Sequence, residues 1–236
     1  MSTVDRRLTV TVAHASVLSM QSISLPSVQP SSRRESVTQV LRDAIVSGNL
    51  IPGQKLVEAE IAAELQTSRA PVREAMRQLE QEGLVISWPY RTSEVLGVSQ
   101  EEIDHVLVPV RISLEQFAFK KAMERLDDAG LQTLERIIDE MRTAALKRDL
   151  DNLVFKDSEF HEKVVRLSQQ RHCLQLWSSI QPRVLAYFRR DATYYDDLNN
   201  IPEQHDKLLE VLKLKDEEEL SKAVADHIKT HFNMKK

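Results

Sequence analysis

From Ser99 almost to its end, the chain repeats one pattern: apolar residues at three- and four-residue steps with charged residues between them. Six such segments succeed one another, at roughly 99–125, 128–147, 150–168, 172–190, 202–214 and 216–233. Only "DATYYDDLNNI", residues 191–201, makes a long break. Stripes of this period bury best against other helices, which confines this part of the chain to an all-α bundle. Pro109 falls inside the first segment and predicts a kink there. With 5 Gly and 8 Pro in 236 residues, a loop-rich alternative has little to build on.

The part before Ser99 reads differently. Residues 1–34 are rich in Ser, Thr, Val and Gln, carry Pro26 and Pro30, and keep no period. They are expected to form a disordered arm. Arg6 and Arg7 stand near its start, but no long apolar core with a small-residue cleavage site comes after them, so a secretory signal is not expected. Met20 is an alternative start. A domain is expected over 35–98. "SVTQVLRDAIVSGNL" sets Val37, Val40, Leu41, Ala44 and Ile45 on one helical face, with Gly48 as a stop. "IPGQKL" reads as a turn, and "EAEIAAELQTS" as a short helix buried through Ile61, Ala62 and Leu65. Ser68 is placed to cap a third helix that tolerates Pro71 in its first turn and ends at Gly83. Two β-prone runs, Leu84–Ser87 and Ser93–Val95, flank a turn at Pro89. Three helices and a hairpin outline a winged helix-turn-helix. The fold class expected is mostly α: a winged head with a small β-hairpin, then an all-helical domain over 99–236.

Composition narrows the setting. The single Cys173 excludes an internal disulfide framework and fits a reducing cytosol. No apolar run approaches the roughly 20 residues that span a bilayer, so no membrane partner is expected. The net charge of −4, with no basic block, argues against nucleic-acid binding through a broad positive field. DNA binding by such a chain depends on a few placed arginines.

Those arginines are present. In "TSRAPVREAMRQLEQEGLV", residues 67–85, Arg69, Arg73 and Arg77 recur at four-residue steps along the third helix. The first turns of the second helix of a helix-turn-helix meet base edges in the major groove, and Arg reads guanine with two bonds. Ser68 can cap the helix and also donate to a phosphate, which the free N–H groups of the first turn favour. Against this stands a solvated face of ion pairs, with Glu74, Glu80 and Glu82 within reach of Arg77.

At this point the residues become recognisable. "GNLIPGQKLVEAEIAAELQTSRAPVREAMRQLEQEGLV", residues 48–85, closely resembles the GntR family of bacterial transcriptional regulators. The helical part after it resembles that family's all-helical effector domain of the FCD type, in its six-helix branch. The resemblance implies base or phosphate contacts by Arg69 and Arg73 and a wing tip in the minor groove. Many members carry Gly-Gly at the tip, where this chain reads "PYRTSE", and Arg91 is the substitute expected for a narrow minor groove.

"DSEFHEKV" sets Asp157 and His161 four residues apart on one helix face, while His205 and His227 lie on two later helices. Three nitrogens and a carboxylate oxygen from three helices can converge on a borderline divalent cation, or form a metal-free polar cluster. The resemblance favours the metal, since metal-binding FCD domains have this Asp–His spacing and then one His on each of the last two helices. Zn²⁺, Ni²⁺, Mn²⁺ and Fe²⁺ all accept such donors. His14, His105 and His172 lack the pattern, and His231, one turn beyond His227, is the one competitor. Arg111 matches an arginine that often faces the family's effector pocket; its other reading is an ion pair with Glu115. "SQQRHC", residues 168–173, departs from the Gly-Asn that members often show.

The expected function is a cytoplasmic, ligand-responsive regulator, a repressor that binds an inverted-repeat operator as a homodimer and takes a small organic acid as effector. Two other readings stay open: a helical metal-dependent hydrolase, and a constitutive DNA binder with a structural metal.

Overall fold

A computed structural model describes residues 32–88, 92–97, 99–193 and 195–230. The expected turn at Pro89, the wing residue Arg91, His14, His231 and most of the arm lie outside the described residues.

Helix α1 spans Ser32–Val46, so it starts four residues before the apolar period becomes readable at Ser36. It buries Val37, Leu41 and Ile45 and closes at Gly48, whose φ of +78° suits a residue without Cβ. Helix α2 is Glu58–Glu64 and α3 is Arg69–Gln81; α3 buries Val72, Ala75, Met76 and Leu79. Gly83, at φ +69°, stops α3. Strands β1 (Lys55–Leu56), β2 (Val85–Ile86) and β3 (Ser93–Val95) form an antiparallel sheet in the order β1-β3-β2. Val85 faces Val95 and Leu56 faces Ser93. The hairpin was expected; β1 was not. "IPGQKL" holds both a turn and a strand, and two residues are too few to show a period. β1 becomes a strand because β3 pairs with it, as Gly53 N–H donates to Val95 O (2.9 Å) and Val95 N–H to Gln54 O (3.0 Å).

The connection to the bundle opens on Ser99, whose Oγ accepts the N–H of Glu102 (3.1 Å) while the Glu102 carboxylate returns to the Ser99 N–H (3.2 Å). This capping box starts α4 (Gln100–Glu102), a π-helical turn comes next at Ile103–Leu107, and α5 runs Val108–Met123. Where a kink is expected at Pro109, the structure places a π turn just before it. The Val108 N–H reaches back five residues to Ile103 O, and the wider turn precedes a proline that has no N–H of its own to give.

Then come α6 (Asp128–Leu146), α7 (Leu150–Leu167), α8 (Arg171–Ala192), α9 (Asn200–Leu214) and α10 (Glu217–Thr230). Asp127 and Asp149 cap α6 and α7 through the N–H groups of Gly130 (2.7 Å) and Asn152 (3.2 Å). Gln169 ends α7 in the left-handed region, at φ +56°. That is the position where many members carry Gly-Asn, the residue types that adopt this conformation at least cost. One apolar core, with Phe119, Ile138, Phe160, Trp177 and Phe188 among its fully buried members, fills the bundle. Helix α8 borders both parts of the molecule: the Arg183 side chain packs against Gly83 at the end of α3, so that a Cβ there would sit 3.3 Å from Arg183 Cδ. Among the described residues no helix is long and apolar enough to cross a membrane.

Candidate metal centre and DNA-binding surface

The period of α7 that buries Leu153, Phe160 and Val164 also turns Asp157 and His161 inward. Helix α9 brings His205 and α10 brings His227, and all four side chains are buried. One ligand atom from each lies within 4.8 Å of the others. His161 Nε2 and His227 Nε2 are 3.1 Å apart, and His205 Nε2 is 3.2 Å from Asp157 Oδ1. Neighbouring ligands about 2.1 Å from a common ion lie about 3 Å apart, so this spacing suits donors shared by one cation. The outer nitrogens are held as metal-binding imidazoles usually are: His161 Nδ1 lies 2.6 Å from Glu115 Oε2, and His205 Nδ1 bonds the Ile201 carbonyl (2.9 Å). A proton on each Nδ1 leaves each Nε2 lone pair pointing into the cluster. Burial above all lowers the His161 pKa, which keeps the ring neutral and fit to ligate. The four residues can hold a metal ion.

A charged layer backs this centre. Arg111 Nε donates to Glu115 Oε1 (2.6 Å) and Nη1 to the Tyr187 hydroxyl (2.9 Å), with the guanidinium 5.9 Å from the centre of the Trp177 ring. The ion pair weighed for Arg111 is thus present, and it is sealed from water. Burial alone would lower the Arg111 pKa, but Glu115, Tyr187 and Asp157 raise it above its ordinary value. Burial likewise works to raise Glu115, yet Arg111 and His161 outweigh it and hold the carboxyl below its ordinary value. Arg111 Nη2 and Trp177 Nε1 are buried donors with no hydrogen-bond partner among the described residues. Sequence reasoning placed Glu115 only as a partner of Arg111 and missed its contact with His161. An ionisable pair inside the apolar run "VRISLEQFAF" was the available signal.

On the head, Ser68, Arg69, Arg73 and Arg77 are all exposed along the start and outer face of α3. Ser68 occupies the N-cap position, with φ −86° and ψ 164°, but its side chain makes no cap bond. Pro71, three residues on, removes one of the two N–H groups that a capping hydroxyl can reach. Arg77 Nη1 bonds Glu74 (3.0 Å), the kind of pair expected for it. Arg73 forks onto Glu58 at the start of α2, a partner not foreseen, with Nη2 3.0 Å from Glu58 Oε2.

The model of bacterial regulatory proteins of the gntR family matches residues 33–95, and the FCD domain model matches 106–230. The chain belongs to the GntR family. The Nta operon transcriptional regulator of Aminobacter aminovorans is 30% identical over 190 residues, covering 80% of this chain and 87% of that protein. The gluconate operon transcriptional repressor of Bacillus licheniformis is 29% identical over 189 residues, covering 78% and 77%. The fold matches that of E. coli McbR/YncC at a TM-score of 0.73 and 22% identity, over 86% of this chain and 96% of that one.

This GntR-family chain is therefore a transcriptional regulator with an FCD domain, and its family and relatives are regulators rather than enzymes. Beside His161 on α7, Glu159 accepts from Lys156 (2.7 Å) and Glu162 from Arg166 and Gln181. Of the remaining described histidines, His105 and His172 are exposed and lie outside the cluster.

Proposed function

We propose that this regulator is a ligand-responsive repressor whose bundle binds one divalent cation, Zn²⁺ or else Ni²⁺, Mn²⁺ or Fe²⁺, through Asp157, His161, His205 and His227. The observation that carries this reading is a set of four buried donors within 4.8 Å of one another, with Nδ1 of His161 and of His205 already engaged outside the cluster. Six-fold coordination would leave two positions for water or for an effector carboxylate. Arg111 Nη2 and Trp177 Nε1 are the donors such an acid would meet. The name of the gluconate operon repressor supports an organic acid, since gluconate is a carboxylate.

The head would read an inverted-repeat operator with Ser68, Arg69, Arg73 and Arg77, and with Arg91 of the wing. A homodimer would present two heads to that repeat. Val106, Val110, Phe117 and Leu176, all exposed on the connecting π turn, α5 and α8, support such pairing. Ligand would act on DNA binding through α8, where Tyr187 bonds Arg111 and Arg183 packs on Gly83.

The burial of the four donors also favours a second reading, a structural metal in a constitutive DNA binder. Metal analysis of the purified protein, then melting with and without chelator and with candidate organic acids, tests both. A protein that purifies without metal, and whose melting ignores added Zn²⁺, Ni²⁺, Mn²⁺ and Fe²⁺, overturns the metal site. A metal-bound protein that no acid releases from DNA selects the second reading.

A further inference from the structure

We propose that Glu58 determines the DNA specificity of the head by positioning Arg73 for a base edge and repelling phosphate from it. The inference rests on the proposed contact of Arg73 with DNA.

Glu58 is the first residue of α2 and Arg73 lies in the second turn of α3. Arg73 Nε stands 3.1 and 3.2 Å from the two Glu58 oxygens, and Nη2 stands 3.0 Å from Oε2. One edge of the guanidinium is thereby fixed, and Nη1 is left uncommitted among the described residues. The bond from Arg73, with the charges of Arg69 and Arg77 also acting, holds the Glu58 carboxyl below its ordinary pKa. The carboxylate is therefore ionised at neutral pH and lies within the field of all three arginines of the row.

An exposed ion pair adds little to stability, so stability does not account for this geometry. Its effect on recognition is larger. A free arginine loses side-chain freedom when it docks, and one already forked onto a carboxylate loses less. The held pose offers the outer N–H groups to guanine O6 and N7. The carboxylate also discriminates. Beside a phosphate it is repelled, whereas beside base edges it is tolerated and can accept from the N4 amine of cytosine. Glu58 thus weakens the sequence-independent mode of binding and spares the sequence-reading one. A chain of net charge −4 with few DNA-facing cations gains discrimination in this way rather than total affinity.

The test begins with selection of a bound motif from a randomised duplex library by the full chain. Wild type, Glu58→Ala, Glu58→Gln and Arg73→Ala are then titrated on the selected motif and on a scrambled duplex, each over a range of salt. Glu58→Ala should weaken motif binding, tighten scrambled binding and lower their ratio about tenfold. Its salt slope on scrambled DNA should steepen by about 0.9, the value of one added phosphate contact. Glu58→Gln, which keeps the shape without the charge, should fall between Glu58→Ala and wild type. Its melting temperature and that of Glu58→Ala should match wild type. Equal tightening on both duplexes would make Glu58 a mere competitor of DNA, and equal weakening with a lowered melting temperature would make it a fold residue; either overturns the inference, as does no change. If Arg73→Ala binds the motif as wild type does, the DNA role of Arg73 fails first. If wild type selects no motif, sequence-specific binding itself fails.

Discussion

In the head, Arg73 and Arg77 stand in water and meet Glu58 and Glu74 at the surface. In the bundle, Arg111 and Glu115 are both sealed inside, and their neighbours complete them: Tyr187 and Trp177 on one side, His161 on the other. The same two residue types therefore do opposite work. A surface pair costs little to make or to break, so it can orient an arginine without becoming part of the fold. A buried pair cannot open without stranding a charge, so it fixes geometry. The head keeps these charged pairs in water, and the bundle uses its buried pair to hold the His161 imidazole in place.

The largest expected effect breaks the buried side of this contrast. Glu115→Ala strands Arg111 and frees His161, and should cost about 3–5 kcal/mol of bundle stability in a denaturant titration. A loss as small as that of a surface pair would erase the difference between the two regions. Removing the metal should come next. Chelation should destabilise the bundle by about 3 kcal/mol if the ion is present at a hundredfold its Kd, read as a fall in melting temperature. His205→Ala and His227→Ala should each lose most bound metal, and His231→Ala should keep it. The head is expected to respond in binding and not in folding. Arg69→Ala or Arg73→Ala should cost about 1–3 kcal/mol on a selected operator in gel-shift titrations at fixed salt, while melting stays unchanged. If melting fell together with DNA affinity, the arginines would be structural. The smallest effect belongs to neither charge class: Gln169→Gly should stabilise the bundle by about 0.5–1 kcal/mol, because glycine adopts the left-handed end of α7 without a Cβ clash. An unchanged denaturation midpoint would show that no strain is held there.

How much could be read from sequence depends on the distance over which each interaction acts. The bundle helices were legible because each carries its own apolar stripe; the caps at Ser99, Asp127 and Asp149 are local too, but were not read. Asp157 and His161 were legible as a pair because four residues on a helix bring them to one face. Their convergence with His205 and His227 is a property of three packed helices, and the family resemblance supplied it. β1 escaped notice because only β3 makes it a strand. Glu58 was read only as part of a helix, since its partner lies 15 residues away across a turn. Whether the Ser68 side chain makes its cap bond depends on its rotamer, which no local pattern records, and Pro71 leaves one N–H fewer for it to find.

The π turn at Ile103–Leu107 has a consequence for how such a chain can change. It takes up more residues per turn than the α-helices around it, and Ile103 and Leu107 anchor it in the core while Asp104, His105 and Val106 face water. Deleting one of those outward residues would let the turn tighten to α geometry. The segments on both sides would keep nearly the same azimuth, because a π turn with one residue removed sweeps about the same angle as the α turn that replaces it. The π turn is thus a place where the link between head and bundle can lose a residue and keep its aim, whereas the same loss within the α-helical turns of α5 would re-aim the reading surface by about 100°.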